Sequence, residues 1–201
     1  MSSYSAVSSY IADAERRLAV TSRRLSLRLR PGARARNPGH ALARLPPDPT
    51  VLVLCYGNIC RSPLAERYLA NRLAERGVDG VTVDSAGFFE ASGRSSPETA
   101  FRAALRYGVD LSSHRSKPVT PGLFADADVV FLMDAQNYQF ALSRFPDEAG
   151  KTCFLRSLVD DDAFEISDPY DGDLDEFVRV YDEVVEAVDA LVDALAADAS
   201  N

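Results

Sequence analysis

The stretch Leu54-Cys55-Tyr56-Gly57-Asn58-Ile59-Cys60-Arg61-Ser62-Pro63 sets a thiol and a guanidinium on either side of five intervening residues. An apolar run, residues 51–54, leads into it, and a helix-like stretch, residues 64–76, leads out. Cys55 therefore stands at the carboxyl end of a buried strand, on a short loop that feeds a helix N-terminus. Successive N–H groups in such a loop form an anion-binding nest, and the helix dipole adds partial positive charge. That field favours a thiolate over a thiol and makes Cys55 a candidate nucleophile. The planar fork of Arg61 can hold two oxygens of a phosphate. Gly57 permits close backbone approach, and Asn58 tolerates the left-handed region. Ser62 is positioned to cap the helix, and Pro63 suits its first position. A lone strand-end cysteine is commonly inert and buried. Cys-x5-Arg-Ser-Pro between a strand and a helix points instead to phosphoryl chemistry.

The flanking elements must hold that loop. Residues 51–54 have the continuous apolar character of a strand covered on both faces. The helix after the loop aligns Leu64, Ala65, Tyr68, Leu69 and Leu73 and stops at Gly77. Residues 81–85 read as a second strand. Ser96-Pro97 opens a helix with Ala100, Phe101, Ala104 and Leu105 apolar and Gly108 as its stop. Thr120-Pro121 opens a short one. Residues 129–133 read as a third strand, 136–145 as a helix, and 152–155 as a fourth strand. Leu174, Phe177, Val178, Tyr181, Val184, Val185, Val188, Leu191 and Leu195 form the stripe of a long final helix. This alternation predicts an α/β fold: three layers, α/β/α, around a four-stranded parallel sheet. Ligands of such sheets bind beyond the carboxyl ends of the strands, where Cys55 lies.

The net charge of −8 conceals an asymmetry. Residues 1–49 hold nine arginines and three acids, and the remainder thirteen bases and twenty-seven acids. Residues 1–49 read as a basic, flexible extension, and 50–201 as the catalytic domain. Within the extension, Val7, Tyr10, Ile11, Ala14 and Leu18 fall at helical spacing, leucines and arginines alternate over 24–30, and prolines and glycines make 31–50 a linker. Contact with a membrane or another anionic partner, and a transit peptide, are its functional readings. The bland reading is an end with no role. Three cysteines, an odd number, do not suggest a disulfide framework and point to a reducing cytoplasm. The acidic domain argues against nucleic acid. With only two histidines, Cys/His metal ligation is not expected.

The run from Cys55 to Pro63 closely resembles the signature loop of the low-molecular-weight protein tyrosine phosphatases. Residues 84–87, 108–115 and 127–134 are also similar to that family, and the likeness covers about residues 51–197. It implies a Rossmann-like phosphatase fold and hydrolysis of phosphotyrosine in proteins through a phosphocysteine, with no cofactor or metal. It makes Cys55 the nucleophile and Arg61 the phosphate clamp, with Tyr56, Gly57, Asn58, Ile59, Cys60 and Ser62 around the substrate. Asp168-Pro169-Tyr170, on spacing an ordinary Asp-Pro turn, becomes by resemblance the general acid and an aromatic wall. The resemblance also links Asn58, Ser62, Ser85 and His114 in a supporting hydrogen-bond network. Phe88 or Phe89 falls where the family carries a further aromatic wall.

The partners implied are phosphotyrosine proteins, a tyrosine kinase among the candidates. The same scaffold also carries phosphoarginine phosphatases and arsenate reductases. Phosphoarginine enzymes of the family carry threonine where this chain has Ile59. An arsenate reductase needs a relay pair of further cysteines, and only Cys153 follows the loop. An idle phosphate-binding module is disfavoured by the intact Cys55, Arg61 and Asp168.

Overall fold

The computed structural model describes residues 38–159 and 163–198. The chain divides into two units, residues 1–35 and 36–201. The helical spacing over 7–18, the leucine–arginine alternation and the proposed roles of the tail lie outside the described residues.

Four parallel strands form one sheet in the order β2-β1-β3-β4: β1 Thr50–Cys55, β2 Thr82–Gly87, β3 Val129–Leu132 and β4 Thr152–Phe154. From β1 the chain builds outward first to β2 and then, on the other side, to β3 and β4. The strand order thus reverses beside β1, and such a reversal opens a crevice at the carboxyl ends of the two strands that flank it. Cys55 ends β1 and pairs in register with Gly87, while Leu54 pairs with Leu132.

Every residue from Val51 to Cys55 is buried, as the unbroken apolar run requires. Val51, Val53 and Cys55 share a core with Val129 and Phe131 of β3. Leu64, Leu69 and Leu73 of α2 (Arg61–Glu75) and Phe177, Val184 and Leu191 of α6 (Leu174–Asp198) close that core. Strand alternation turns Leu52, Leu54, Val130 and Leu132 to the opposite face, where they are equally buried. Arg72 of α2 donates to Asp189 of α6 at 3.0 Å, on the rim of their contact.

Between these lie α3 (Glu98–Ala104), α4 (Pro121–Asp126) and α5 (Ala135–Arg144). Thr120 caps α4 by accepting from the Leu123 N–H at 3.2 Å. Gly108 takes φ +70 where the helical region after Ser96-Pro97 stops. The elements read from the sequence are all present, with ends displaced by one to three residues. The largest shift is α2, which begins at Arg61. Ser62 is therefore inside the first turn rather than capping it, and Pro63 is the third helical residue. Its missing N–H still falls where no intrahelical partner exists.

The stretch 31–50 differs more. Its described part holds α1 (Pro38–Leu42), and Leu42 enters the main core with 6 % exposure. Prolines and glycines limit the helix to five residues but do not stop an apolar side chain at its end from packing. Removing a buried leucine's methyl groups leaves a cavity worth about 2–5 kcal/mol. Leu42→Ala is expected to lower unfolding stability by that amount while kcat is unchanged, because Leu42 does not line the catalytic pocket. Denaturant unfolding and steady-state kinetics on the same variant check both halves.

Candidate active site

The loop between β1 and α2 is held by its own side chains. Asn58 has φ +50, the only positive φ outside glycine among the described residues. That conformation costs about 1–3 kcal/mol and persists only where surrounding bonds fix it. Here they do. The Asn58 carbonyl accepts from His114 Nε2 at 2.8 Å, and its side-chain oxygen accepts from the Lys117 N–H at 3.0 Å. Its Nδ2 donates to Ser62 Oγ at 3.0 Å and to Ser85 Oγ at 2.8 Å.

These donors fix the remaining protons. Ser62 Oγ accepts from Asn58, so its own proton is free to point at Cys55 Sγ, 3.1 Å away. The Asn58 N–H donates to the same sulfur at 3.2 Å. The Asn58 N–H and the Ser62 hydroxyl therefore converge on Sγ. Ser85 Oγ donates to Glu66 Oε2 at 2.5 Å. The expected group of Asn58, Ser62, Ser85 and His114 is brought together, and Glu66 is an addition the sequence did not flag. Gly87 completes the cradle. A Cβ there would lie 2.8 Å from Tyr56 O and 2.9 Å from Asn58 N.

Arg61, 1 % exposed, opens α2. Its Nη1 donates to Asp134 Oδ2 at 2.7 Å and to the Ile166 carbonyl at 2.9 Å, and its Nη2 to Asp168 Oδ2 at 2.6 Å. Burial alone would lower the guanidinium's pKa. The charges of Asp134, Asp168 and Cys55 outweigh it, and the net shift is upward. Arg61 Nε is buried with no partner among the described residues, a donor left over for an anion. Asp134 also accepts from the Asn137 N–H at 2.8 Å and so caps α5. It lies two residues beyond the carboxyl end of β3, on the same side of the sheet as the loop after Cys55. That position is the signal by which the sequence could have marked it.

Cys55, Tyr56, Gly57, Ile59, Cys60, Phe89, Arg94, Asp168 and Tyr170 line one pocket of about 510 Å³. Ile59 is buried in its wall, whereas Tyr56, Phe89 and Tyr170 are exposed. The aromatic wall after β2 is thus Phe89. Phe88 is core, 5.4 Å from Phe140 between ring centroids. Burial, and next the Cys55 charge, push the Cys60 thiol up, which keeps it protonated beside its neighbour. Tyr181 of α6, read only as part of an apolar stripe, donates its hydroxyl to the Cys60 carbonyl at 3.1 Å.

The chain belongs to the low molecular weight phosphotyrosine protein phosphatase family, whose sequence model matches residues 50–201. EpsP of Ralstonia nicotianae, named a probable low molecular weight protein-tyrosine-phosphatase, is 36% identical over 143 residues, 71% of this chain and 93% of that protein. Among solved structures, the YwlE arginine phosphatase from Geobacillus stearothermophilus superposes with a TM-score of 0.68 at 29% identity, covering 75% of this chain and 94% of that one. The tyrosine phosphatase Wzb from Escherichia coli K30, in complex with sulphate, does so with a TM-score of 0.65 at 30% identity, covering 72% and 96%.

His114 gives the loop a pH dependence. Burial lowers its pKa below the ordinary 6.5, outweighing the bond to Asn58 O. Below about pH 6.5 the unfolded chain binds a proton that the folded chain resists. The stability His114 contributes is complete above that value and is lost as pH falls. Thermal unfolding from pH 8 to pH 5 is expected to show a declining midpoint that flattens in His114→Gln. An identical slope in the variant would assign the decline to other groups.

Proposed function

We propose that the protein hydrolyses phosphotyrosine in proteins through a phosphocysteine. The observation that carries this reading is the convergence of two hydrogen-bond donors on Cys55 Sγ beside a buried, permanently charged Arg61. Sγ attacks phosphorus in line as the bond to the tyrosyl oxygen breaks. Loop N–H groups and Arg61 hold the equatorial oxygens where charge accumulates. The incoming phosphoryl group competes with Asp168 for Arg61 and releases its carboxyl to face the leaving oxygen. Asp168 then gives that oxygen a proton. In the second half Asp168 takes a proton from water, the water oxygen bonds to phosphorus, and the P–S bond breaks to return the thiolate.

In this reading residues 50–201 form the phosphatase domain and residues 1–49 extend it. The substrates are phosphotyrosine proteins of the cytoplasm, a tyrosine kinase among the candidates. Asp168→Asn is expected to slow aryl phosphates with poor leaving groups by about 10²–10⁴-fold. Those with good leaving groups, which need no proton, should lose far less. Equal losses across the leaving-group series would remove Asp168 from the role of acid.

Substrate choice rests on the pocket wall. Ile59 offers apolar surface to a flat ring and no acceptor to a guanidinium. Phe89 and Tyr170 add aromatic faces. A buried, unpaired polar group costs about 1–3 kcal/mol, roughly 5–150-fold in rate. One feature favours the phosphoarginine reading: the carboxylates of Asp171 and Glu176 also border the pocket. The test is kcat/KM on matched phosphotyrosine and phosphoarginine peptides, for wild type and Ile59→Thr. A wild-type preference for phosphotyrosine that shrinks in the variant is expected. Preference for phosphoarginine would overturn the assignment, and an unchanged ratio would acquit Ile59.

A further inference from the structure

Arg94 borders the pocket yet has no part in the chemistry above. Its Nη2 donates to the Gly57 carbonyl. Its guanidinium carbon lies 4.3 Å from the centroid of the Phe89 ring. The backbone holds the base of this side chain, since the Arg94 N–H donates to Ser116 Oγ at 3.1 Å and its carbonyl accepts from the Ser116 N–H at 2.9 Å. A Cβ on Gly57 would come within 3.3 Å of Arg94 Nη2, so glycine at that position admits the arginine against the loop. Its Nε is buried without a partner.

An arginine held at the edge of a site is most simply neutralised by a carboxylate. Arg61, the other arginine at the loop, is held by two, Asp134 and Asp168. Among the described residues none pairs with Arg94. The charge is held in place by an aromatic face and a carbonyl, and so remains available to an anion. The bordering carboxylates, Asp171 and Glu176, belong to the segment that carries Asp168 and to the start of α6, whereas Arg94 follows β2.

Resting on the phosphotyrosine reading of the pocket, we propose that Arg94 forms an anion subsite beside the phosphate loop. It would receive a carboxylate or a second phosphoryl group on a substrate residue next to the phosphotyrosine. The phosphotyrosine ring packs along Phe89, the residue on which Arg94 is stacked, so the guanidinium meets the peptide beside the ring rather than the reacting phosphorus. Arg94 is in this sense a specificity residue, not a catalytic one.

The experiment uses the full chain and four phosphotyrosine peptides, identical except for the neighbouring residue: alanine, glutamate, phosphotyrosine or lysine. The wild type is expected to favour glutamate or phosphotyrosine neighbours over alanine by about five-fold in kcat/KM, and to disfavour lysine. Glutamate and phosphotyrosine arms favoured alike assign a general anion site, and preference for the phosphotyrosine arm alone assigns a second phosphoryl group. The ratio should fall toward one in Arg94→Gln, reverse in Arg94→Glu and largely return in Arg94→Lys. In the wild type it should shrink as salt is raised from about 0.01 M to 1 M, where the screening length drops from roughly 30 Å to 3 Å. A wild-type ratio near one, a ratio that ignores salt, or one that survives in Arg94→Gln overturns the subsite. Turnover of p-nitrophenyl phosphate, which has no neighbouring residue, separates the two levels. Its absence defeats the phosphatase reading itself, and its presence without peptide discrimination defeats only the subsite.

Discussion

A guanidinium buried as deeply as Arg61 is unfavourable by several kcal/mol unless carboxylates and carbonyls replace its water. Much of the domain is arranged to meet that demand. Asp134 comes from the end of β3, Ile166 and Asp168 from the connection before α6, and Arg61 itself opens the helix after β1. The strand-order reversal beside β1 is what lets residues so far apart in sequence meet. Because Asp134 also caps α5, the loss of either function by substitution would be felt in both places.

The second constraint is the conformation of Asn58. Four protein groups bond its side chain and carbonyl, and in doing so they orient Ser62 Oγ and the Asn58 N–H toward one sulfur. The loop is thereby preorganised, and little rearrangement is needed when charge develops. Tyr181 adds a brace from beneath, where burial pushes its phenol up and keeps it a donor to the Cys60 carbonyl. A long final helix thus serves both the core and the site. The mouth of the pocket, by contrast, is built from exposed aromatics and unlike charges.

The candidate loop was legible because it is local. Cys55, the loop and Arg61 lie within seven consecutive residues, and an apolar run before them with a helical stripe after them fixes where they sit. The order of strands and helices was legible for the same reason, through the unbroken apolar runs of β1 and β3 and the stripe of α6. The likeness to a family supplied Asp168 and the partners of Asn58. What escaped were contacts across the fold. Asp134 reaches Arg61 from 73 residues away and Tyr181 reaches Cys60 from 121. The choice between Phe88 and Phe89 turned on a one-residue strand alternation at the end of β2. Ser62 looked like a cap because serine before an apolar helix commonly is one. Its hydroxyl is instead turned to the sulfur, since α2 starts two residues earlier, at Arg61.

In the proposed reaction, Cys55 among these donors and Arg61 is the nucleophile toward phosphorus. The most direct test is to mix the full chain with p-nitrophenyl phosphate, quench within milliseconds and locate phosphate on the digested protein by mass spectrometry. The account predicts a phosphoryl group on the peptide that contains Cys55, transient in the wild type and longer-lived in Asp168→Asn, which lacks the base for its hydrolysis. Turnover with no phosphoprotein at any quench time in either protein, or phosphate on a residue other than Cys55, would contradict it.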